Sequence, residues 1–383
     1  METSSPAYLD PRTGRTWPLD PPRWCGEAGQ PLLLTELPGL APEEIERGER
    51  SLWRYRAALP PLPPGGAAPI SLGEGCTPLL RRQVAGATAL LKCEWLMPTG
   101  SFKDRGASVM LSLLRAQGVG AVLEDSSGNG GAAIAAYAAA GGMRARILVP
   151  EATSPAKTVQ ARASGAEIVP VPGTRQDCAE AALRAGRARE GGVFYASHNW
   201  HPFFLQGTKT LAYELWEDLG FRAPDNVVVP CGAGSNVLGC GIGFGELLRA
   251  GQIAQVPRIF AAQPAHCAPI AREFLGLEPA APLPTMAEGT AIAQPIRMRE
   301  VLGVLQGSRG GAVMLSEQEI GAAALELARG GIYVEPTCAQ VAAAFAKLLR
   351  AGTVRPEETT VLVLTGTGLK ATPRIAELLG VAL

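Results

Sequence analysis

Val227-Val228-Val229-Pro230-Cys231-Gly232-Ala233-Gly234-Ser235-Asn236 runs from an apolar strand through a glycine loop into a helix. Glycine lets successive backbone N–H groups converge on an anion, and the start of the helix adds its dipole. A bound phosphate is the natural occupant. The rival is a dinucleotide, which needs an acidic residue near the end of the next strand to hold a ribose. That strand, Arg258-Ile259-Phe260-Ala261-Ala262, ends in Gln263 and Pro264, so a single phosphate is the better reading. A tight turn without any ligand stays open at this point.

The same strand-to-helix rhythm extends in both directions. Residues 121–123, 146–149, 168–171 and 193–195 read as buried strands, with helices over about 131–140, 155–164 and 176–190 between them. A second series follows: a helix over about 205–219, strand 227–230, a helix over about 236–250 and strand 258–262. Helices near about 317–329 and 338–351 precede strand 360–364 and a terminal helix. Strands alternating with helices give βαβ units and parallel sheets. The expected fold is α/β: two open parallel-sheet domains with a cofactor cleft between them, plus an N-terminal extension. The extension is placed at 1–65, a large domain at 66–106 and 206–383, and a small domain at 107–205. Residues 60–66, Pro-Pro-Leu-Pro-Pro-Gly-Gly, read as a stiff linker closing the extension.

Composition narrows the function classes. The chain has 383 residues, 47% hydrophobic and 18% charged, ample for buried cores. Lysine plus arginine equals aspartate plus glutamate at 35 each, so no field of either sign favours nucleic acid or an anionic membrane. No apolar run approaches the roughly 20 residues of a membrane span, and METSSPAYLD lacks the pattern of a secretory signal. Eight cysteines occur without a CxxC pair, which suits a reduced cytoplasm rather than a disulfide framework. Only three histidines occur, so the chemistry is expected to run largely without them. His198 and His201, with Trp200 between, read as rim or packing residues, and no metal is expected.

Three further segments carry candidate chemistry. In Met97-Pro98-Thr99-Gly100-Ser101-Phe102-Lys103-Asp104-Arg105-Gly106, proline and glycine punctuate a loop, and Ser101 with Asp104 reads as a capping box. Lys103 then falls in the first turn of a helix over about 102–117, where a cation costs roughly 0.3–1 kcal/mol against the dipole. That cost favours the neutral amine, the form that attacks an aldehyde. In Glu124-Asp125-Ser126-Ser127-Gly128-Asn129-Gly130-Gly131, serine hydroxyls and helix-start N–H groups suit a carboxylate, and Asn129 suits a phenolate-like oxygen. Plain helix capping is the alternative there. In Leu364-Thr365-Gly366-Thr367-Gly368-Leu369-Lys370, a threonine hydroxyl suits a ring nitrogen, or the segment is a simple turn.

Together these segments resemble the fold-type-II pyridoxal-phosphate enzymes, and most closely the threonine synthases. The lysine segment 98–106 is similar to that family's cofactor-lysine motif along its whole length. Residues 71–79 (Ser-Leu-Gly-Glu-Gly-Cys-Thr-Pro-Leu), 205–210 (Leu-Gln-Gly-Thr-Lys-Thr), 334–336 (Val-Glu-Pro) and 365–370 match in order and spacing. The resemblance implies that Lys103 holds pyridoxal 5′-phosphate covalently and shuttles protons, with Phe102 beside it. It implies that Asn129 bonds the cofactor's 3-oxygen, and that Gly232, Ala233, Gly234, Ser235 and Asn236 cradle its phosphate. Thr365 would face the pyridine nitrogen, and Ser126, Ser127 and Gly128 would hold the substrate carboxylate. A homodimer acting on a small amino-acid substrate is implied as well.

The implied reaction is that of a lyase or synthase converting O-phosphohomoserine and water to threonine and phosphate. Departures point to an alternative. Ser127 and Gly130 stand where the family usually has threonines, and residues 201–207 read His-Pro-Phe-Phe-Leu-Gln-Gly where relatives often show Asn-Pro-aromatic-Arg-Leu-Glu-Gly. An ammonia-lyase or β-replacement enzyme on serine, threonine or a related amino acid is that alternative. A nicotinamide-dependent dehydrogenase and a catalytically silent ligand-binding relative are rivals of other classes. Tyr8 to Leu34 resembles the zinc-ribbon extension of some relatives, but only Cys25 of its ligands remains, so zinc is not expected.

Overall fold

The computed structural model describes residues 5–63 and 66–382; Pro64 and Gly65 of the linker lie outside them. Three short strands open the chain, β1 (Ala7–Leu9), β2 (Thr16–Pro18) and β3 (Leu33–Leu34). A hairpin follows, β4 (Leu79–Val84) and β5 (Ala87–Lys92), then β6 (Ala121–Glu124), β7 (Arg144–Pro150), β8 (Glu167–Val171) and β9 (Phe194–Tyr195). The last strands are β10 (Asn226–Pro230), β11 (Arg258–Pro264), β12 (Gly311–Leu315) and β13 (Thr360–Val363). Helices α1 (Lys103–Ala116), α2 (Asn129–Ala140), α3 (Pro155–Ala163), α4 (Arg175–Ala188), α5 (Pro202–Thr208) and α6 (Thr210–Asp218) fill the first half. The second half holds α7 (Ser235–Arg249), α8 (Pro269–Phe274), α9 (Met298–Gly307), α10 (Glu317–Arg329), α11 (Pro336–Arg350) and α12 (Thr372–Leu379).

The chain forms two compact units. One comprises residues 1–75 and 103–210, the other 76–102 and 211–383. The first holds a four-stranded sheet of order β8-β7-β6-β9, parallel throughout. Its buried cluster runs from Met110 and Leu114 of α1 through Ile134 and Tyr137 of α2 to Tyr8, Trp24 and Leu34. The small antiparallel sheet β2-β1-β3 thus shares one core with α1 and α2. The second unit holds a six-stranded sheet of order β12-β11-β10-β13-β5-β4. It is parallel except for the β4–β5 hairpin at one edge.

That hairpin turns through Ala85 and Gly86, at φ 51° and 83°. Two consecutive positive φ values are the signature of a type I′ turn, where asparagine is preferred and alanine is strained. Ala85→Asn is therefore expected to stabilise the fold by about 0.5–1 kcal/mol. Chemical denaturation measures it; a destabilised variant would show that alanine is at ease in this turn.

The segment 71–79 anchors in both units, because the chain passes from one to the other after Gly75. In the first unit, Glu74 is fully buried and accepts from Ser108 Oγ (2.6 Å), Tyr137 OH (2.8 Å) and Leu72 N–H (2.8 Å). It ties α1 to α2. In the second, the Thr77 hydroxyl donates to Glu94 (2.6 Å) and its N–H to Glu214 (2.7 Å). Buried Lys92 balances Glu214 and Asp218, each at 2.7 Å. A buried charge is tolerated only when paired in this way.

Candidate active site

Lys103 opens α1 and is half-buried. The expected capping box is not formed: Ser101 is buried, and its hydroxyl has no hydrogen-bond partner among the described residues. Its backbone instead pairs with Gly366, so a tertiary contact replaces the local one. Around it, Phe102 N–H donates to Thr365 O at 3.0 Å and Thr367 N–H to Gly100 O at 3.0 Å. Two motifs more than 260 positions apart in sequence are thereby zipped together. Phe102, whose backbone is held by Thr365, immediately precedes the lysine.

In the first unit, α1 crosses α5 at close range. A Cβ on Gly106 would meet the Phe204 ring at 2.4 Å, and one on Gly207 would meet Arg105 O at 2.0 Å. Only glycine allows this crossing, which explains why both residues sit in the matching motifs. Arg105 donates from Nη1 to Thr210 Oγ1 at 3.1 Å across the same contact. Lys103 Nζ lies 5.6 Å from the Phe204 ring centroid, within cation–π range.

The asparagine loop follows β6. Ser126, Ser127 and Asn129 are half-buried and Gly128 is exposed, so the predicted carboxylate-holding stretch is accessible. Gly128 is the N-cap of α2. A Cβ on Gly131 would collide with Ser126 O at 2.0 Å, and one on Gly130 with the His198 ring at 2.7 Å. The neighbouring acids were not recognised as site residues from sequence. Glu124 and Asp125 are both buried; Tyr195 OH donates to Asp125 Oδ1 at 2.9 Å, and Arg175 donates to the Asp125 carbonyl. Burial pushes both carboxyls above the usual range, against the lowering effect of Arg175. The signal was available: two adjacent acids at the end of an apolar strand, directly before a serine-glycine loop.

In the second unit, β10 delivers Cys231, Gly232, Ala233 and Gly234 to the start of α7. Gly234 adopts φ +91°, and a Cβ there would strike Val301 Cγ2 at 2.3 Å. Gly232 is similarly confined by Thr290 Cα at 3.1 Å. Gln263, the residue that argued against a dinucleotide, is fully used: it donates to Cys231 O at 2.9 Å and accepts from Ala271 N–H at 2.9 Å. Asn236 is 3% exposed, yet among the described residues neither its Oδ1 nor its Nδ2 has a hydrogen-bond partner. An unsatisfied buried amide is costly and marks a place for a polar ligand. Arg297, one helical turn before Val301, is buried, and that burial pushes its guanidinium down to about 10.

Thr365 is buried after β13, with Oγ1 3.4 Å from Cys338 Sγ. Gly366 N–H donates to the same sulfur at 2.9 Å, and burial pushes the Cys338 thiol far up, so it remains neutral. The residues present fit a pyridoxal phosphate. The first unit offers an amine at a helix start; the second offers a glycine loop at a helix start with an unsatisfied amide behind it, and a neutral hydroxyl in the segment after β13 that holds Phe102.

Residues 70–366 match the family model described as pyridoxal-phosphate dependent enzyme. The chain belongs to that family, and pyridoxal phosphate is its cofactor. Within the family it is similar to threonine synthase of Methanocaldococcus jannaschii, at 32% identity over 339 residues covering 86% of this chain and 82% of the relative. It is 35% identical to threonine synthase of Mycobacterium tuberculosis over 308 residues, 79% and 84% of the two chains. Among solved structures, the processed threonine deaminase isoform 2 of Solanum lycopersicum superposes with TM-score 0.67 at 22% identity, covering 79% of this chain and 83% of that one. The last likeness speaks for the fold.

Proposed function

We propose that the chain is a lyase or synthase of threonine-synthase type, converting O-phosphohomoserine and water to threonine and phosphate. One observation carries the reading: the segment before Lys103 is bonded strand-like to Thr365 and its neighbours, joining the lysine motif to the hydroxyl motif. The relatives at 32–35% identity are named threonine synthase, which supports threonine as the product. Bound pyridoxal phosphate supplies an electron sink for charge developing at the substrate's Cα.

The protein's own groups divide the remaining work. Lys103 would hold the cofactor through Nζ and, when not so engaged, would take the Cα proton at the same atom. Its position in the first turn of α1 works against a positive charge at Nζ by about 0.3–1 kcal/mol. Ser126, Ser127 and the N–H groups at Gly128 orient the substrate carboxylate, and Asn129 bonds the cofactor's 3-oxygen. Gly232, Ala233, Gly234, Ser235 and Asn236 hold the phosphate at the start of α7. Phe102 packs beside the cofactor.

Thr365 presents a hydroxyl rather than a carboxylate to the ring nitrogen, which does not favour ring protonation. A weaker electron sink shortens the life of charge at Cα and favours prompt loss of a side-chain group over transamination. Thr365→Asp is accordingly expected to raise the fraction of keto acid formed by transamination about tenfold, a shift worth about 1.4 kcal/mol. Product ratios by chromatography measure it; an unmoved ratio removes the argument.

A second reading has its own support. Gly130 brings no side chain to the asparagine loop, and His198 fills the space where one would begin. An ammonia-lyase or β-replacement enzyme on serine or threonine has no substrate phosphate to hold there. Incubation with O-phosphohomoserine, L-serine and L-threonine separates the two readings. Phosphate and threonine from the first substrate support the synthase, whereas ammonia and keto acid from the others support the lyase and contradict it. The homodimer implied by the family likeness is part of the proposal and is measured by sedimentation.

A further inference from the structure

Glu124 ends a strand whose other residues are alanine, valine and leucine, and its side chain is fully buried. A buried carboxylate is costly unless donors surround it. This one accepts from Asp125 N–H at 2.9 Å and from His198 N–H at 2.9 Å, and meets His198 Nδ1 at 3.0 Å. A carboxylate at Nδ1 selects the tautomer protonated there and leaves Nε2 with a lone pair. Nε2 has no hydrogen-bond partner among the described residues. The ring lies 2.7 Å from where a side chain on Gly130 would begin, next to Asn129. It also meets Phe204 edge-on, with centroids 5.8 Å apart, and that phenyl ring carries Lys103 Nζ 5.6 Å from its centroid.

A packing histidine does not require a buried glutamate, and an apolar pair of similar volume would fill the space at no electrostatic cost. A carboxylate that fixes the tautomer and leaves one nitrogen bare is the arrangement of a proton-transferring imidazole. We infer that His198, oriented by Glu124, is a second acid–base group of the active site. It accepts at Nε2 the proton of the water that adds to the substrate's side chain, while Lys103 handles the proton at Cα. When water adds to the unsaturated side chain left by elimination, the O–C bond forms, the C=C π bond opens with its electron pair moving away from the attacked carbon, the O–H bond breaks and the proton moves to Nε2; the imidazolium then passes it to solvent. The inference rests on the reading of Lys103 given above.

The charged groups around the ring are the cations Lys103 and Arg175 and the acids Glu124 and Asp125, with Arg175 and Tyr195 on Asp125. Burial first, and then Lys103, hold the imidazole well below its usual range. The ring is thus neutral, a base in waiting, and its protonation falls below the ordinary histidine value of about 6.5. Activity that depends on it is lost as pH falls through that depressed value and is unaffected above it.

The test has two arms. Nitrogen-15 NMR of the holoenzyme reads the tautomer of each of the three histidines, with His198→Gln assigning the signal. His198 is expected to be protonated at Nδ1 and bare at Nε2 at neutral pH, and to lose that tautomer preference in Glu124→Gln; protonation at Nε2 in the unaltered enzyme overturns the inference. In the second arm, exchange of the Cα proton of L-serine and O-phosphohomoserine is followed in D₂O beside product formation. In His198→Gln, product formation is expected to fall about 10²-fold while Cα exchange stays within about threefold. Unchanged turnover, or equal loss of both, overturns the inference alone. Absence of Cα exchange in the unaltered enzyme with both amino acids overturns the Lys103 reading beneath it.

Discussion

Lys103→Ala is expected to leave a folded protein with no covalently held cofactor. The absorbance near the visible edge, and its bleaching by borohydride, should both vanish. Turnover should fall by roughly 10⁴-fold, the upper end of what one proton-transferring group contributes. The side chain is half-buried at the first position of α1, so its loss removes little core packing, and thermal unfolding should move only slightly. Stability and activity therefore separate in this variant. A small primary amine added to the buffer is expected to restore part of the Cα proton exchange. Retained absorbance would assign the cofactor to another residue.

Gly234→Val should have the second-largest effect, and through a different link. The position combines φ +91° with a Val301 methyl 2.3 Å from the place of a Cβ. A β-branched residue is strained in that backbone region and collides with α9 as well. The loop can relieve both only by opening, which turns its N–H groups away from the start of α7. The expected consequence is an affinity for pyridoxal phosphate weakened about 100-fold, or about 2.7 kcal/mol. Titration of the apoenzyme with pyridoxal phosphate, alongside a melting curve to establish folding, measures it. Unaltered affinity in a folded variant would remove the glycine loop from the phosphate site.

Much of the architecture was legible before the structure. Val227, Val228 and Val229 are apolar in succession because β10 has neighbours on both sides and is buried throughout. The βα alternation from Ala121 to Arg249 is equally plain, since each strand is short and α2, α3, α4 and α7 start after Gly128, Ser154, Thr174 and Gly234. The β4–β5 hairpin was not recognised. Its first strand reads Leu-Leu-Arg-Arg-Gln-Val and lies at a sheet edge, where one side is solvated and no clean alternation survives. Ser101 was misread as a helix cap because local patterning cannot anticipate that Gly366, far along the chain, competes for its backbone.

The site shows the same division. Lys103, Asn129 and the glycine loop announce themselves by local chemistry, because helix starts and glycine turns are local structures. The Glu124–His198 pair does not. Its members are 74 positions apart, and only the parallel pairing of β6 with β9 brings the segment after Tyr195 alongside the asparagine loop. Asn236 is intermediate: its place in the loop was visible, but that its amide lacks a partner among the described residues required the packed structure.

The most direct measurement is borohydride reduction of the holoenzyme followed by digestion and mass spectrometry of the phosphopyridoxyl peptide. The label is expected on Lys103, within the peptide that begins after Lys92. A label on Lys92, Lys157, Lys209, Lys347 or Lys370, or no label at all on a cofactor-loaded enzyme, would contradict it.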